Sequence, residues 1–143
     1  MKIKKIEYNI SDVVSIDLKY VSEENGSLVF LENEDINFSI ERIFTIKTNK
    51  PEIRGNHAHK ECFQLLYCPL GEVEILCDDA NYKKNFCLDN MNKGLIIPPT
   101  IWATQKYSSN DTILNVICSH KFLENDYIRD YENFKKFREN INN

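Results

Sequence analysis

The 143-residue sequence has no apolar run approaching the length of a membrane span. Its basic start, Met1-Lys2-Ile3-Lys4-Lys5, is not followed by an apolar stretch of signal-peptide length. These absences predict a cytoplasmic chain with no membrane partner. Positive charge is also lacking: 18 lysines and arginines against 22 acidic residues give a net charge of −4. Non-specific nucleic-acid binding rests on phosphate neutralisation, so no nucleic-acid partner is expected, although a local basic pocket can still hold a small anion. The five cysteines, at positions 62, 68, 77, 87 and 118, are odd in number and include no C-x-x-C pair. Neither a disulfide framework nor a zinc knuckle is suggested. They read as small buried hydrophobes in a reducing compartment. Internal repeats, low-complexity tracts and interdomain linkers are missing as well.

What is present is ordinary for a globular protein: 42% hydrophobic and 28% charged residues. A chain of this length suits one domain, 1–143, and can bury its core without disulfides or a structural metal. Alternating apolar residues dominate the first five-sixths. Strands are expected over 4–10, 14–20, 27–31, 38–47, 63–67, 73–77, 82–88, 94–97, 102–107 and 112–118. Asn25-Gly26, Leu70-Gly71 and Asp78-Asp79 supply turn signals. Short strands at this spacing point to an all-β barrel or sandwich. In 38–47, Phe38, Ile40, Arg42, Phe44 and Ile46 share one face. The period changes near Asn125. Over 126–138, Tyr127, Ile128, Tyr131, Phe134 and Phe137 fall at helical spacing, with basic residues near the end as the helix dipole prefers. That face reads as a packing stripe against the barrel.

The chain holds three histidines, and two of them form His57-Ala58-His59. On a strand, positions i and i+2 face the same way, so both imidazoles project together. Two imidazoles in one cavity suit metal binding or proton transfer near neutral pH; the bland alternative is a surface pair or a satisfied core pair. The surrounding spacing resembles the first motif of the cupin superfamily, with Gly55, His57, His59 and Gly71 in place. Gln64 stands where that motif has a carboxylate. The run from Gly94 to Pro98 resembles the start of the second cupin motif, but Ala103 falls where its ligand histidine would be. Two histidines and a neutral amide are a poor set for a divalent transition metal, and His120, at the end of a later strand, is a poor substitute. A metal-free pocket with no cofactor is favoured, with Gln64 as a hydrogen-bonding group for a polar substrate.

A closer likeness rests on three segments: Arg54-Gly55-x-His57-Ala58-His59-Lys60 with Gln64; Gly94 through Trp102; and Asp126-Tyr127-Ile128-Arg129-Asp130-Tyr131 with Asn133-Phe134. Over roughly 25–137 the chain resembles the 3,4-ketoisomerases of dTDP-sugar biosynthesis, a WxcM-like branch of cupins. The resemblance implies a double-stranded β-helix, a homodimer and a dTDP-4-keto-6-deoxyhexose substrate. Its 3-keto product would pass to an aminotransferase that makes 3-amino-3,6-dideoxy sugars for surface glycans. It implies catalysis by His57 and His59, with the principal base role at His57, although on physical grounds the two are nearly even. Arg42, Arg54 and Lys60 are candidates for the diphosphate, since guanidinium suits phosphate oxygens. Trp102 is a candidate pocket wall, with a core tryptophan as the alternative. Family members often carry a tyrosine where Phe44 and Thr45 stand here, a basic residue where Ala103 stands, and a charged or aromatic residue at the Asn25 turn. Asn25, Thr45 and Ala103 are therefore candidates for product stereochemistry. Two other readings remain: a sugar-nucleotide epimerase, whose cupin members use a His–Asp pair and a tyrosine not visible as a set in this sequence, and a non-catalytic sugar-binding cupin.

Overall fold

The computed structural model describes residues 6–141. One five-stranded sheet runs in the order β1 (Val14–Asp17), β9 (Lys93–Ile97), β6 (Gln64–Leu70), β11 (Thr112–Cys118), β4 (Arg42–Thr48). A second has the order β12 (Tyr127–Ile128), β5 (Glu52–His59), β10 (Trp102–Tyr107), β7 (Val73–Asp78), β8 (Lys83–Leu88). A separate hairpin joins β2 (Lys19–Glu23) to β3 (Gly26–Phe30) across the Asn25 turn. The expected all-β double-stranded β-helix with a C-terminal helix, α1 (Tyr131–Ile141), is the observed architecture.

Alternation explains the layers. Leu66, Val73, Ile75, Leu114 and Val116 are buried together between the sheets. Each such side chain contributes about 1.5–3 kcal/mol by leaving water. Their strand neighbours Leu65, Ile96 and Ile117 face outward and are covered by Leu18 and by Ile36, Phe38 and Ile40. On the outer face of the second sheet, Ala58, Trp102 and Ile128 lie under Phe134 of α1. The last turn of α1 is anchored by Arg138, which is buried, pairs with Glu7 at 2.8 Å and donates to Tyr8 O at 2.7 Å.

Most strand expectations fall on observed strands; four boundaries need correction. Residues 4 and 5 lie outside the described residues, and 6–9 form no strand. A 3₁₀ turn over Ile10–Asp12 follows, capped by the Asn9 side chain. The run 14–20 breaks at Leu18, whose N–H donates to Asn92 O; one half pairs with β9 and the other enters the hairpin. Residues 38–40 cover the first sheet, and the strand begins at Arg42. The helix starts at Tyr131 rather than at 126. Asp130 caps it by accepting the Asn133 N–H at 2.9 Å. Asp126 ends a 3₁₀ turn, and Tyr127–Ile128 pairs with His59 and Ala58 as strand. No helix among the described residues is long and apolar enough to cross a membrane.

Candidate active site

His57 and His59 enter the interior from β5. His57 lies opposite Ala103 of β10, whose alternate residues Ala103, Gln105 and Tyr107 are buried. The two imidazole rings are 5.1 Å apart and perpendicular. Immediately before them the register slips, because Thr104 pairs with Gly55 while Ala103 pairs with His57. Gly55 and Asn56 both take positive φ, 86° and 59°, which makes a bulge. A Cβ at Gly55 would stand 3.1 Å from Ala103 O, so this tight approach favours glycine. The bulge has a consequence for Arg54: it pairs with Gln105, so it shares the face of His57 despite an odd separation.

His59 is held from behind. Its Nδ1 lies 2.9 Å from Asp126 Oδ2, and the other carboxylate oxygen accepts the Glu61 N–H at 2.8 Å. Burial pushes the Asp126 carboxyl up, but the bonds from His59 and from the backbone N–H groups outweigh it and hold the group below its usual range. An ionised carboxylate only accepts, so Nδ1 carries a proton, and in the neutral imidazole Nε2 is then the nitrogen with the lone pair. Nε2 is buried and has no hydrogen-bond partner among the described residues. His57 is pushed down to about 4, first by burial and then by the neighbouring His59, with Arg129 and Arg42 adding to the effect. It is neutral at physiological pH.

From the facing sheet, Arg42 points inward, opposite Cys118 of β11. Its Nη2 donates to the Tyr127 hydroxyl at 2.9 Å and lies 3.5 Å from Cys118 Sγ. Gln64 is buried with Nε2 3.5 Å from the same sulfur. The Tyr127 ring packs at a tilt against both imidazoles, 5.1 Å from His57 and 4.3 Å from His59. Beside this group lies a hollow of about 500 Å³ lined by Glu41, Phe122, Leu123 and Asp126, among others.

The structure thus brings together His57, His59, Arg42, Gln64 and Ala103, and the bulge adds Arg54 to their face. It separates four others. Trp102 lies on the opposite face, 5.4 Å from Tyr131 and 5.7 Å from Phe134, because it alternates with the inward Ala103; the core alternative is the one observed. Lys60 shares the outer face of Ala58 and lines a hollow with Arg129, Lys136 and Asn140 of the helix side. Thr45 is exposed and bonds Asn115 on the outer face of its sheet. Asn25 sits at the tip of the separate hairpin.

Metal-binding cupin positions do not fit a metal here. Gln64 offers a neutral amide and Ala103 a methyl group. His59, Cys62 and Asp126 gather donor atoms within 4.8 Å behind the site. There the carboxylate is already engaged by His59, and hydrogen bonding to Cys118 together with burial pushes the Cys62 thiol well up. Sequence reasoning missed Tyr127 because it fits the helical stripe, and Asp126 because it falls at the start of the expected helix. It also found no His–Asp pair with a tyrosine; the fold assembles that set, since His59 and Asp126 are 67 residues apart. The one available signal was the close run Asp126-Tyr127 just ahead of an Asp cap.

The family described as FdtA: WxcM-like, C-terminal matches residues 11–139. A TDP-4-oxo-6-deoxy-alpha-D-glucose-3,4-oxoisomerase of Aneurinibacillus thermoaerophilus is 40% identical over 129 residues, covering 89% of this chain and 93% of that protein. The structure is similar to that of a 3,4-ketoisomerase from Helicobacter canadensis, with 36% identity, a TM-score of 0.86, and coverage of 90% of this chain and 98% of that one. It is also similar to a histidine-to-asparagine variant of the 3,4-ketoisomerase QdtA from Thermoanaerobacterium thermosaccharolyticum in complex with TDP-4-keto-6-deoxyglucose. That likeness has 29% identity, a TM-score of 0.87, and covers 92% of this chain and 97% of that one.

Proposed function

The chain belongs to the FdtA, WxcM-like C-terminal family, and from that membership we propose that it converts a TDP-4-keto-6-deoxyhexose into its 3-keto isomer. The observation that carries the chemistry is the buried His59 Nε2, unpartnered and backed by the Asp126 carboxylate at 2.9 Å. The C3–H bond breaks, its proton goes to a base, and the electron pair forms an enediolate with the C4 oxygen. Reprotonation at C4, with loss of the O3 hydroxyl proton and gain of a proton at O4, leaves the carbonyl at C3 and a hydroxyl at C4. The expectation from resemblance gives the base role to His57. The geometry favours the reverse, because His59 Nε2 is unpartnered and its Nδ1 is hydrogen-bonded to a carboxylate, while burial holds His57 neutral and weakly basic. His57 then serves as a neutral N–H donor to the oxyanion. Arg54, turned onto the same face by the bulge, supplies charge for the diphosphate.

The same reading extends to a metal-independent cytoplasmic homodimer whose product feeds an aminotransferase for surface glycan sugars. The hairpin supports the dimer, since Tyr20, Val21 and Leu28 are 45%, 42% and 58% exposed on it. The test is incubation with TDP-4-keto-6-deoxyglucose, followed by NMR, with and without EDTA. A 3-keto sugar formed equally in both is expected; bound but unconverted substrate would sink the isomerase reading and favour a sugar-binding cupin. The His59–Asp126 pair beside Tyr127 also favours a second reading, epimerisation. Deuterium incorporated at C5 from heavy water would select it.

A further inference from the structure

The histidine pair leaves one task without an owner. Besides a base at carbon, the reaction needs an acid that donates to the C4 oxygen and can take a proton back from the C3 hydroxyl. His59 is committed to carbon through Nε2, and neutral His57 has one weakly acidic N–H, which can hydrogen-bond to the oxyanion but does not give up its proton. Thr45 faces away from the site and bonds Asn115.

We propose that Tyr127 is a further catalytic residue, the acid and proton carrier for the sugar oxygens, with Arg42 positioning it. Tyr127 lies directly opposite His59 across the β12–β5 ladder, so both side chains project to one face. Its ring is within 5.1 Å of His57 and 4.3 Å of His59, which places it beside the reacting carbons that those imidazoles serve. Arg42 Nη2 donates to the phenol oxygen at 2.9 Å. That bond fills one lone pair and leaves the O–H proton free to point at another acceptor. When the proton leaves, the guanidinium offsets the charge on the oxygen. A second guanidinium, Arg129, stands 4.3 Å over the ring. The step balances: the phenol proton goes to O4 as the C3–H electron pair moves into the enediol, and the phenolate recovers a proton from O3–H as the C3 carbonyl forms.

This inference rests on the ketoisomerase reading, and the experiment separates the two. Tyr127→Phe keeps the ring and removes the hydroxyl. Wild type and variant are compared for product formation by NMR, for deuterium wash-in at C3, and for TDP binding by calorimetry. The variant should bind TDP within about twofold and lose about 10²–10⁴-fold in kcat. A variant isomerising within about fivefold of wild type overturns the role of Tyr127 alone. A wild type that neither isomerises nor exchanges any proton beside the carbonyl overturns both. As a readout that a packing role would not move, 3,5-difluorotyrosine at position 127 should shift the alkaline limb of kcat to lower pH; an unmoved limb counts against the proposal.

Discussion

Replacing Asp126 by asparagine tests the site at its most constrained point. The side chains of His59 and Asp126 are 7% and 11% exposed, so water cannot take over the lost interaction. An amide keeps the shape and one acceptor but removes the charge. A hydrogen bond to a charged group contributes roughly 1.5–3 kcal/mol, which corresponds to about 10–150-fold in rate if it acts only in the transition state. There is a second loss. The amide can instead donate its N–H to Nδ1, which moves the ring proton to Nε2 and abolishes the base. The combined expectation for Asp126→Asn is a kcat lower by about 10²–10⁴-fold. TDP binding should be nearly unchanged, because Asp126 lies behind the imidazole. The assay is product formation and C3 deuterium exchange by NMR on the same sample. Both should fall together, since the base acts in each. A variant with kcat within about threefold of wild type refutes the dyad, and loss of product with full C3 exchange would place the defect after proton abstraction.

His57 gives a pH signature of folding. Its folded value of about 4 lies below its unfolded value, so the unfolded chain binds the proton more readily. The associated stability is present above about pH 6.5 and is lost as pH falls towards 4, at most about 3 kcal/mol. Urea midpoints across that window should show the loss, and His57→Asn should flatten it. Gly55→Ala forces a side chain into positive φ against Ala103 O and should cost about 1–3 kcal/mol by denaturant melt. Trp102→Ala should cost about 3–5 kcal/mol while leaving KM unchanged at temperatures where the variant is folded; a shifted KM would return Trp102 to the substrate site.

The fold was legible because its signals are local. β10 and β11 appear over the residues that the alternation marks, since a buried face imposes period 2 on β11 (Leu114, Val116, Cys118). The His-x-His pair and its inward direction follow from the same rule. What was hidden depends on tertiary context. Tyr127 and Ile128 fit a helical stripe as well as a two-residue strand, and only the unpaired edge of β5 decides for strand. Arg54 and His57 are three apart, which places them on opposite faces of a regular strand; the bulge at Gly55 and Asn56 cancels that. Trp102 and Ala103 were both candidates, yet adjacent strand residues cannot both face inward, so placing Ala103 opposite His57 sends Trp102 under the helix.

The pair of imidazoles is best understood as a device for one proton. With rings 5.1 Å apart in a buried setting, protonating one disfavours protonating the other, which is part of why His57 sits so low. Among the described residues Asp126 hydrogen-bonds His59 and no carboxylate hydrogen-bonds His57, so on the proposed reading the proton taken from C3 rests on His59. On that reading His59 then returns it to C4 while His57 stays neutral. Ala103 matters to this asymmetry, since a basic residue there, directly opposite His57, would add a second positive charge and compete for the proton. Ala103→His should therefore lower kcat below about pH 6.5, where the added imidazole is charged. It should restore activity towards neutral pH. Equal depression at all pH values would mean that bulk, and not charge, is what position 103 excludes.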